Sequence, residues 1–210
     1  MGFYQRSGKR FFDVCISLTG LLLLSPLFLI IALLVKLTSA GPIIYFQKRV
    51  GLGGRLFRIA KFRTMRNNAE RFGSPITRSG DKRVTRVGSL LRLLKIDELP
   101  QLWNVLRGEM SLVGPRPEIP RYVWRYSATQ QKVLTVRPGI TDLASINYRH
   151  EERLLGQSSD PERFYEDIIL PHKLDLNLGY LKRVSLFSDL FILLRTARVL
   201  MPLRLESKLP

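Results

Sequence analysis

Between Asp13 and Lys36 the chain carries no charged residue, and the 22 positions between them, "VCISLTGLLLLSPLFLIIALLV", are mostly apolar. A helix of that length spans about 33 Å at about 1.5 Å per residue, against about 30 Å for the hydrocarbon core of a bilayer. Basic residues precede the run, as in a secretory signal. No small-residue cleavage site follows, and "KLTSAGPIIYF" leads straight into strand-like sequence, so the pattern predicts membrane insertion. Ser25-Pro26 interrupts the run near its middle. Pro26 removes a backbone donor and biases Ser25 away from the α region. Arg6, Lys9 and Arg10 flank one end and Lys36, Lys48 and Arg49 the other, without the charge asymmetry expected of a single span. Two readings stand on composition: a helix–break–helix hairpin that enters and leaves by one face, or a Pro-kinked span.

After this segment the periodicity changes. "GPIIYFQKRVGLGGRLFRIAKFRTM" reads as two strands joined by a Gly-rich turn, with Ile44, Phe46 and Val50 on one parity. "GLGG" lacks the spacing of a dinucleotide fingerprint, and no phosphate-loop motif occurs. "RNNAERFGSPITRSGDKR" is polar and predicts a loop. Val87, Leu90, Leu91 and Leu94 recur at helical spacing, and "ELPQLWNVLRG" predicts a further helix closed by Gly108. "IPRYVWRYSATQQKVLTV" predicts one mixed amphipathic helix, and "DPERFYEDIILPHKLDLNLGYLKR" predicts helical pieces around Pro171. In the last helix Leu186, Leu190, Leu194, Ala197 and Met201 fall on one side, which suits either a core or a membrane interface.

Charge narrows the class of partner. The 210 residues carry 34 Lys and Arg against 17 Asp and Glu, a net charge of +17. Such a field favours phosphate-rich partners: nucleic acid, anionic lipid or a phosphorylated small molecule. Cys15 is the only cysteine, so no intramolecular disulfide forms. Within this basic chain "KIDELPQLWNVLRGEMSLVGPRP" sets Asp97 beside Glu98. The pair could cap a helix whose first turn tolerates Pro100. It could equally divide labour at a phosphate, one carboxylate attacking phosphorus and the other holding Mg²⁺ amid neutralising Arg and Lys. Pro115-Arg116-Pro117 sets an Arg on a stiff backbone, suited to phosphate or to a base, or forms a plain turn.

These residues carry a resemblance. "KRFFDV…LLLSPLFLIIAL", "FQKRVG…FRIAKFRTM", "RVTRVGSLLRLLKIDELPQLWNVLRGEMSLVGPRPE", "VRPGIT" and, more weakly, "SDLFILLRT" resemble the monotopic phosphoglycosyl transferases, also called bacterial sugar transferases, from about Lys9 to Thr196. The resemblance implies a mostly helical α+β fold. Residues 1–40 would form a re-entrant membrane hairpin broken at Ser25-Pro26. Residues 41–210 would form a catalytic domain with a small β-hairpin and interfacial helices, on the cytoplasmic face of a bacterial inner membrane rich in anionic lipid. It implies transfer of a sugar-1-phosphate from a UDP-sugar to a polyprenol phosphate, with release of UMP, as the first membrane step of glycoconjugate or exopolysaccharide assembly. Asp97 matches the nucleophile and Glu98 the Mg²⁺ ligand. Lys61, Arg63, Arg92, Pro115, Arg116, Pro117 and Arg149 match substrate-binding positions. Asp167 in "FYEDII" matches an acidic position near the metal. The chain would be the minimal catalytic form, and a homodimer is compatible with it.

The match has departures. Asp142 and Ser145 stand where relatives usually carry Gly and Gln, and Tyr148 where they carry Gly. They leave the dyad intact and bear on the donor-sugar pocket. His150 and His172 lack metal-ligand spacing and read as non-catalytic. The competing readings are a membrane-tethered basic protein that binds nucleic acid or lipid without catalysis, and a non-catalytic scaffold of the same fold. No recognised nucleic-acid motif supports the first, and the intact Asp-Glu pair opposes the second.

Overall fold

A computed structural model of the protein describes residues 4–67, 69, 77 and 80–200. The predicted loop of residues 66–83 lies largely outside the described residues, as does Met201. The apolar run forms α1 (Lys9–Leu23) and α2 (Ser25–Thr38), which meet at Leu24 with a bend of 62°. Pro26 sits in the first turn of α2, where its missing N–H costs nothing. Ser25 Oγ donates to the Leu22 carbonyl at 2.8 Å, covering one of the acceptors left at the end of α1. Among the described residues no single helix is long and apolar enough to cross a membrane, whereas this bent pair together meets the length and composition.

The bent pair is tied to the rest of the chain by polar contacts on an otherwise apolar surface. Asp13 and Ser17, one turn apart on α1, are buried, and Asp13 Oδ1 accepts the Leu112 N–H at 3.0 Å. Lys9 and Tyr4 both donate to Asp189 near the far end of the chain, and Tyr180 donates to the same carboxylate at 2.7 Å. At the other end Ile31 and Val35 of α2 pack with Phe62 and Leu91.

The two predicted strands form β1 (Ile44–Val50) and β2 (Leu56–Phe62), paired antiparallel with Ile44 opposite Phe62 and Val50 opposite Leu56. Val50 is buried but Phe46, on the same parity, is 56% exposed. Among the described residues the ribbon has only two strands, so one side of it is left uncovered over part of its length. Next come α3 (Arg86–Leu93), a 3₁₀ turn at Ile96–Glu98 and α4 (Gln101–Leu106). Gly108, with φ +80°, closes α4 as predicted.

A short parallel pair, β3 (Ser111–Val113) and β4 (Gly139–Thr141), lies behind the turn. It brings Gly114 and Gly139 into backbone contact: a Cβ on Gly139 would lie 2.1 Å from the Gly114 nitrogen. Only glycine fits there, and the approach holds "GPRP" against "RPG".

The single amphipathic helix predicted from Ile119 onward is instead α5 (Pro120–Val123) and a 3₁₀ turn at Gln130–Thr135. Ser127 and Gln130 exchange side-chain-to-backbone bonds that restart the helix in a new direction. Then come α6 (Leu143–Asn147), α7 (Glu151–Gln157), α8 (Pro161–Phe164), a π-helical turn at Tyr165–Ile169 and α9 (Leu170–Leu181). The helix passes through Pro171 because the π turn just before it shifts the hydrogen-bond register.

α10 (Leu186–Leu200) decides against the core reading of its Leu-rich side. Asp189 and Ile192 are buried, while Leu190 and Leu194 on the predicted apolar side are 38% and 67% exposed. The strong polar network at Asp189 sets which side packs inward, and the apolar side is left outside.

Candidate active site

The dyad lies where α3 stops. Lys95 adopts φ 57°, the only positive φ outside glycine among the described residues. That left-handed residue turns the chain sharply, and Ile96–Glu98 follow as a tight 3₁₀ turn with both carboxylates buried. The capping reading fails here: the N-cap residue of α4 is Pro100, and no side chain caps the helix.

The two carboxylates differ in every contact. Glu98 Oε1 accepts from Lys61 at 2.8 Å and from Arg116 Nη2, and its Oε2 accepts from Arg116 Nη1 at 3.0 Å. Burial pushes the Glu98 acid constant up, but Arg116 and Lys61 overcome that and hold it well below the usual carboxylate range. Glu98 in turn keeps Arg116 charged. Burial lowers the Lys61 constant, with Glu98 pulling back against it. Asp97 has a buried Oδ1 with no partner. Its acid constant is pushed up to about 6, by burial first and the Glu98 charge second, against Lys61, Lys95 and Arg92.

A cavity of about 420 Å³ opens over the dyad. Lys61, Arg92, Arg116 and Arg149 all line it. Arg92 donates to Glu152 at 2.7 Å and keeps a buried, unpartnered Nη1. Arg149 and Lys95 line the cavity with no ion-pair partner among the described residues, so two cations face it uncommitted.

Four of the predicted site residues, Arg63, Pro115, Pro117 and Asp167, lie outside the lining of this cavity. Arg63 is buried away from the cavity, donating to the Ser39 carbonyl at 2.7 Å and to Ser39 Oγ, so it anchors the end of α2. Pro115 and Pro117 do not line it either. The Pro115 carbonyl accepts from Gly139 N and the Pro117 carbonyl from Arg49, each at 3.0 Å, which fixes Arg116 between them. Asp167 is 60% exposed at its side chain and pairs with Arg163 one turn away, outside the cavity. The surroundings of Asp167 are solvent and helix surface, where a carboxylate gains nothing from the dyad's cations.

Several lining residues were missed or left unassigned. Glu118 receives bonds from Tyr165 and Arg49, and Lys173 pairs with Glu151 above the Tyr148 and Tyr165 rings. Glu118 directly follows "GPRP", which is the one local signal that could have marked it. Asp142, one of the departures, is buried; its Oδ2 accepts the Arg116 N–H at 3.0 Å and its Oδ1 caps α6 through Ser145 N. Ser145 Oγ is buried without a partner. Tyr148 shares a 2.7 Å bond with His172, and neither His150 nor His172 lines the cavity.

Among the described residues no cluster of three or more His, Cys, Asp or Glu could cage a metal. Mg²⁺ needs less, because it keeps waters and takes phosphate oxygens beside one or two carboxylates. The dyad fits that demand: Glu98 Oε2 accepts one bond only, and Asp97 Oδ1 accepts none.

A buried pair of unlike carboxylates thus faces a cavity lined by cations, on a mostly helical scaffold. The chain belongs to the bacterial sugar transferase family, which it matches over residues 4–202. It is 39% identical over 204 residues to the UDP-N-acetylgalactosamine-undecaprenyl-phosphate N-acetylgalactosaminephosphotransferase of Aeromonas hydrophila, covering 92% of this chain and 43% of that protein. It is 37% identical to the exopolysaccharide production protein ExoY of Sinorhizobium fredii, covering 90% and 83%. It is 41% identical to the UDP-glucose:undecaprenyl-phosphate glucose-1-phosphate transferase of Caulobacter vibrioides, covering 90% and 67%. The chain thus spans less than half of the first of these proteins and most of the second.

Proposed function

We propose that this protein transfers a sugar-1-phosphate from a UDP-sugar to a polyprenol phosphate, undecaprenyl phosphate by analogy with the relatives' names, and releases UMP. The observation that carries the reading is the split dyad: Glu98 is held charged by two cations while Asp97 keeps a buried oxygen with no partner. An unsolvated carboxylate oxygen is a competent nucleophile, and its burial cost is recovered only when it reacts. Asp97 Oδ1 attacks the β-phosphorus of the donor, and the bond to the bridging oxygen breaks with its electron pair leaving on UMP. The aspartyl-phosphosugar is then attacked at phosphorus by an oxygen of the lipid phosphate. The bond to Asp97 breaks and the carboxylate returns.

Arg149, Lys95 and the free nitrogen of Arg92 neutralise the donor diphosphate, which is most of what phosphoryl transfer asks of a protein. Arg116 holds Glu98 in place. Glu98 is the residue that would hold Mg²⁺, which when bound spreads the charge of the diphosphate. The bent α1–α2 pair is proposed to enter and leave the membrane by one face, with Phe187, Phe191 and Leu194 of α10 lying in the interface of the cytoplasmic leaflet. All three are more than half exposed.

Mass spectrometry after incubation with Mg²⁺ and a panel of UDP-sugars, without acceptor, tests the chemistry. A phosphosugar adduct is expected on Asp97 and absent in Asp97→Asn. Direct attack by the lipid phosphate would form no adduct with any donor.

A further inference from the structure

The cavity over the dyad has two unlike walls. One carries Arg149, Lys95 and Tyr148. The other is apolar and is made by Leu112, Ile140, Ile146, Leu193, Val199 and Leu200. Two of the three hydroxyls near that second wall are satisfied: Thr141 and Thr196 bond each other at 2.7 Å, and Thr196 also donates to the Ile192 carbonyl at 2.8 Å, which leaves Ser145 Oγ as the one buried hydroxyl without a partner there. A UDP-sugar carries hydroxyls, carbonyls or charge on nearly every side, and would leave them unpaired against such a surface. A hydrocarbon would not.

α10 stands between this wall and the outside. Leu193, Thr196 and Leu200, spaced by one and two helical turns, line the cavity, while Phe187, Phe191 and Leu194 on the other side are exposed. Val199 and Leu200 at the end of α10 therefore sit where an apolar chain could pass from the outer apolar surface to the inner one. The uncommitted Arg149 and Lys95, which line the same cavity, suit an anionic head. Apolar wall, buried carboxylate and free cations thus share one cavity, which suits an amphiphile with a phosphate at one end.

We infer that the apolar wall of α10, β3, β4 and α6 binds the first isoprene units of the acceptor, a prenyl phosphate, with its phosphate toward Asp97 and its chain leaving past Val199 and Leu200. The inference rests on the proposed transfer reaction and adds to it the place where the acceptor lies.

Val199→Trp fills the exit. With farnesyl phosphate as acceptor, KM is expected to rise about tenfold, while the UMP released per enzyme without acceptor stays within about twofold of the parent. Dimethylallyl phosphate, too short to reach the exit, should be used equally by both. Equal loss of UMP release would give the wall to the donor, and an unchanged farnesyl KM would remove the acceptor from it; either outcome overturns the inference. Failure of the transfer reaction itself looks different: the parent would release no UMP from any donor. A farnesyl phosphate bearing a diazirine on its first isoprene unit gives an independent measurement on the parent protein. Labelling is expected within residues 193–200 and should be competed by farnesyl phosphate. Labelling confined to α1 and α2 would overturn the proposal.

Discussion

Asp97 is a buried carboxylate without a partner, and such a group costs stability whenever it is ionised. Its constant stands near 6, above the unfolded value of 3.8, so the native state binds the proton more tightly than the unfolded state does. Stability is therefore unaffected below about pH 3.8 and falls as pH rises through 6, by about 1.4 kcal/mol per unit of displacement. Asp97→Asn removes that penalty. It is expected to raise the midpoint of thermal unfolding at pH 7 and leave it unchanged at pH 3, while turnover falls to background. In the parent, the rate of UMP release without acceptor should climb as pH passes 6, because only the ionised carboxylate attacks. Thermal scans and a pH–rate profile check both. Glu98→Gln behaves oppositely: it strips two cations of their shared partner, so loss of activity should come with loss of stability, on the order of 3 kcal/mol.

At the scale of elements, the geometry of the dyad depends on α6, which does not touch it. Asp142 caps α6 with one oxygen and takes the Arg116 N–H with the other, and Arg116 forks onto Glu98. Asp142→Ala loses a helix cap worth about 1 kcal/mol and orphans a backbone N–H. The expected result is a lower unfolding midpoint and a reduced turnover, with partial rescue by Asp142→Asn, which keeps one acceptor. A variant with parent turnover would show that Arg116 is placed by its flanking prolines alone.

At the scale of the whole molecule, the 62° bend between α1 and α2 is too shallow to be read as a hairpin from its angle alone. What favours a one-sided insertion is that both ends are held to one body: Lys9 to Asp189 at the start of α1, and Ser39 to Arg63 at the end of α2. In a Cys15→Ser background, Gly2→Cys and Arg55→Cys should both react with an impermeant maleimide from the cytoplasmic side only. Reaction from opposite sides would sink the one-face topology. Pro26→Leu, which allows a straight helix, is expected to move a fraction of Gly2→Cys to the other side.

The sequence by itself determined the local pieces. An uncharged run with Pro26 in it breaks where the backbone donor is missing, "GLGG" between two apolar runs turns a hairpin, and Gly108 ends α4, because each follows from one residue's own stereochemistry. The acidic pair was visible in the sequence as two adjacent carboxylates in a basic chain, but composition left helix capping open, and roles for the two came only with the family resemblance. Tertiary structure decided everything that needed a partner far along the chain. Asp97 and Glu98 are indistinguishable by composition, and only Lys61, 37 residues away, and Arg116, 18 away, make one the paired carboxylate and leave the other bare. Arg63 and Asp167 carry charges as promising as those of Arg92 and Arg149, but Ser39 holds the first outside the cavity and Arg163 the second. The Leu periodicity of α10 left a core and an outer face both open, and the buried Asp189 network, formed with residues 4, 9 and 180, turns the Leu-rich side outward. Burial and pairing between distant segments set these outcomes, and neither is a property of a local stretch of sequence.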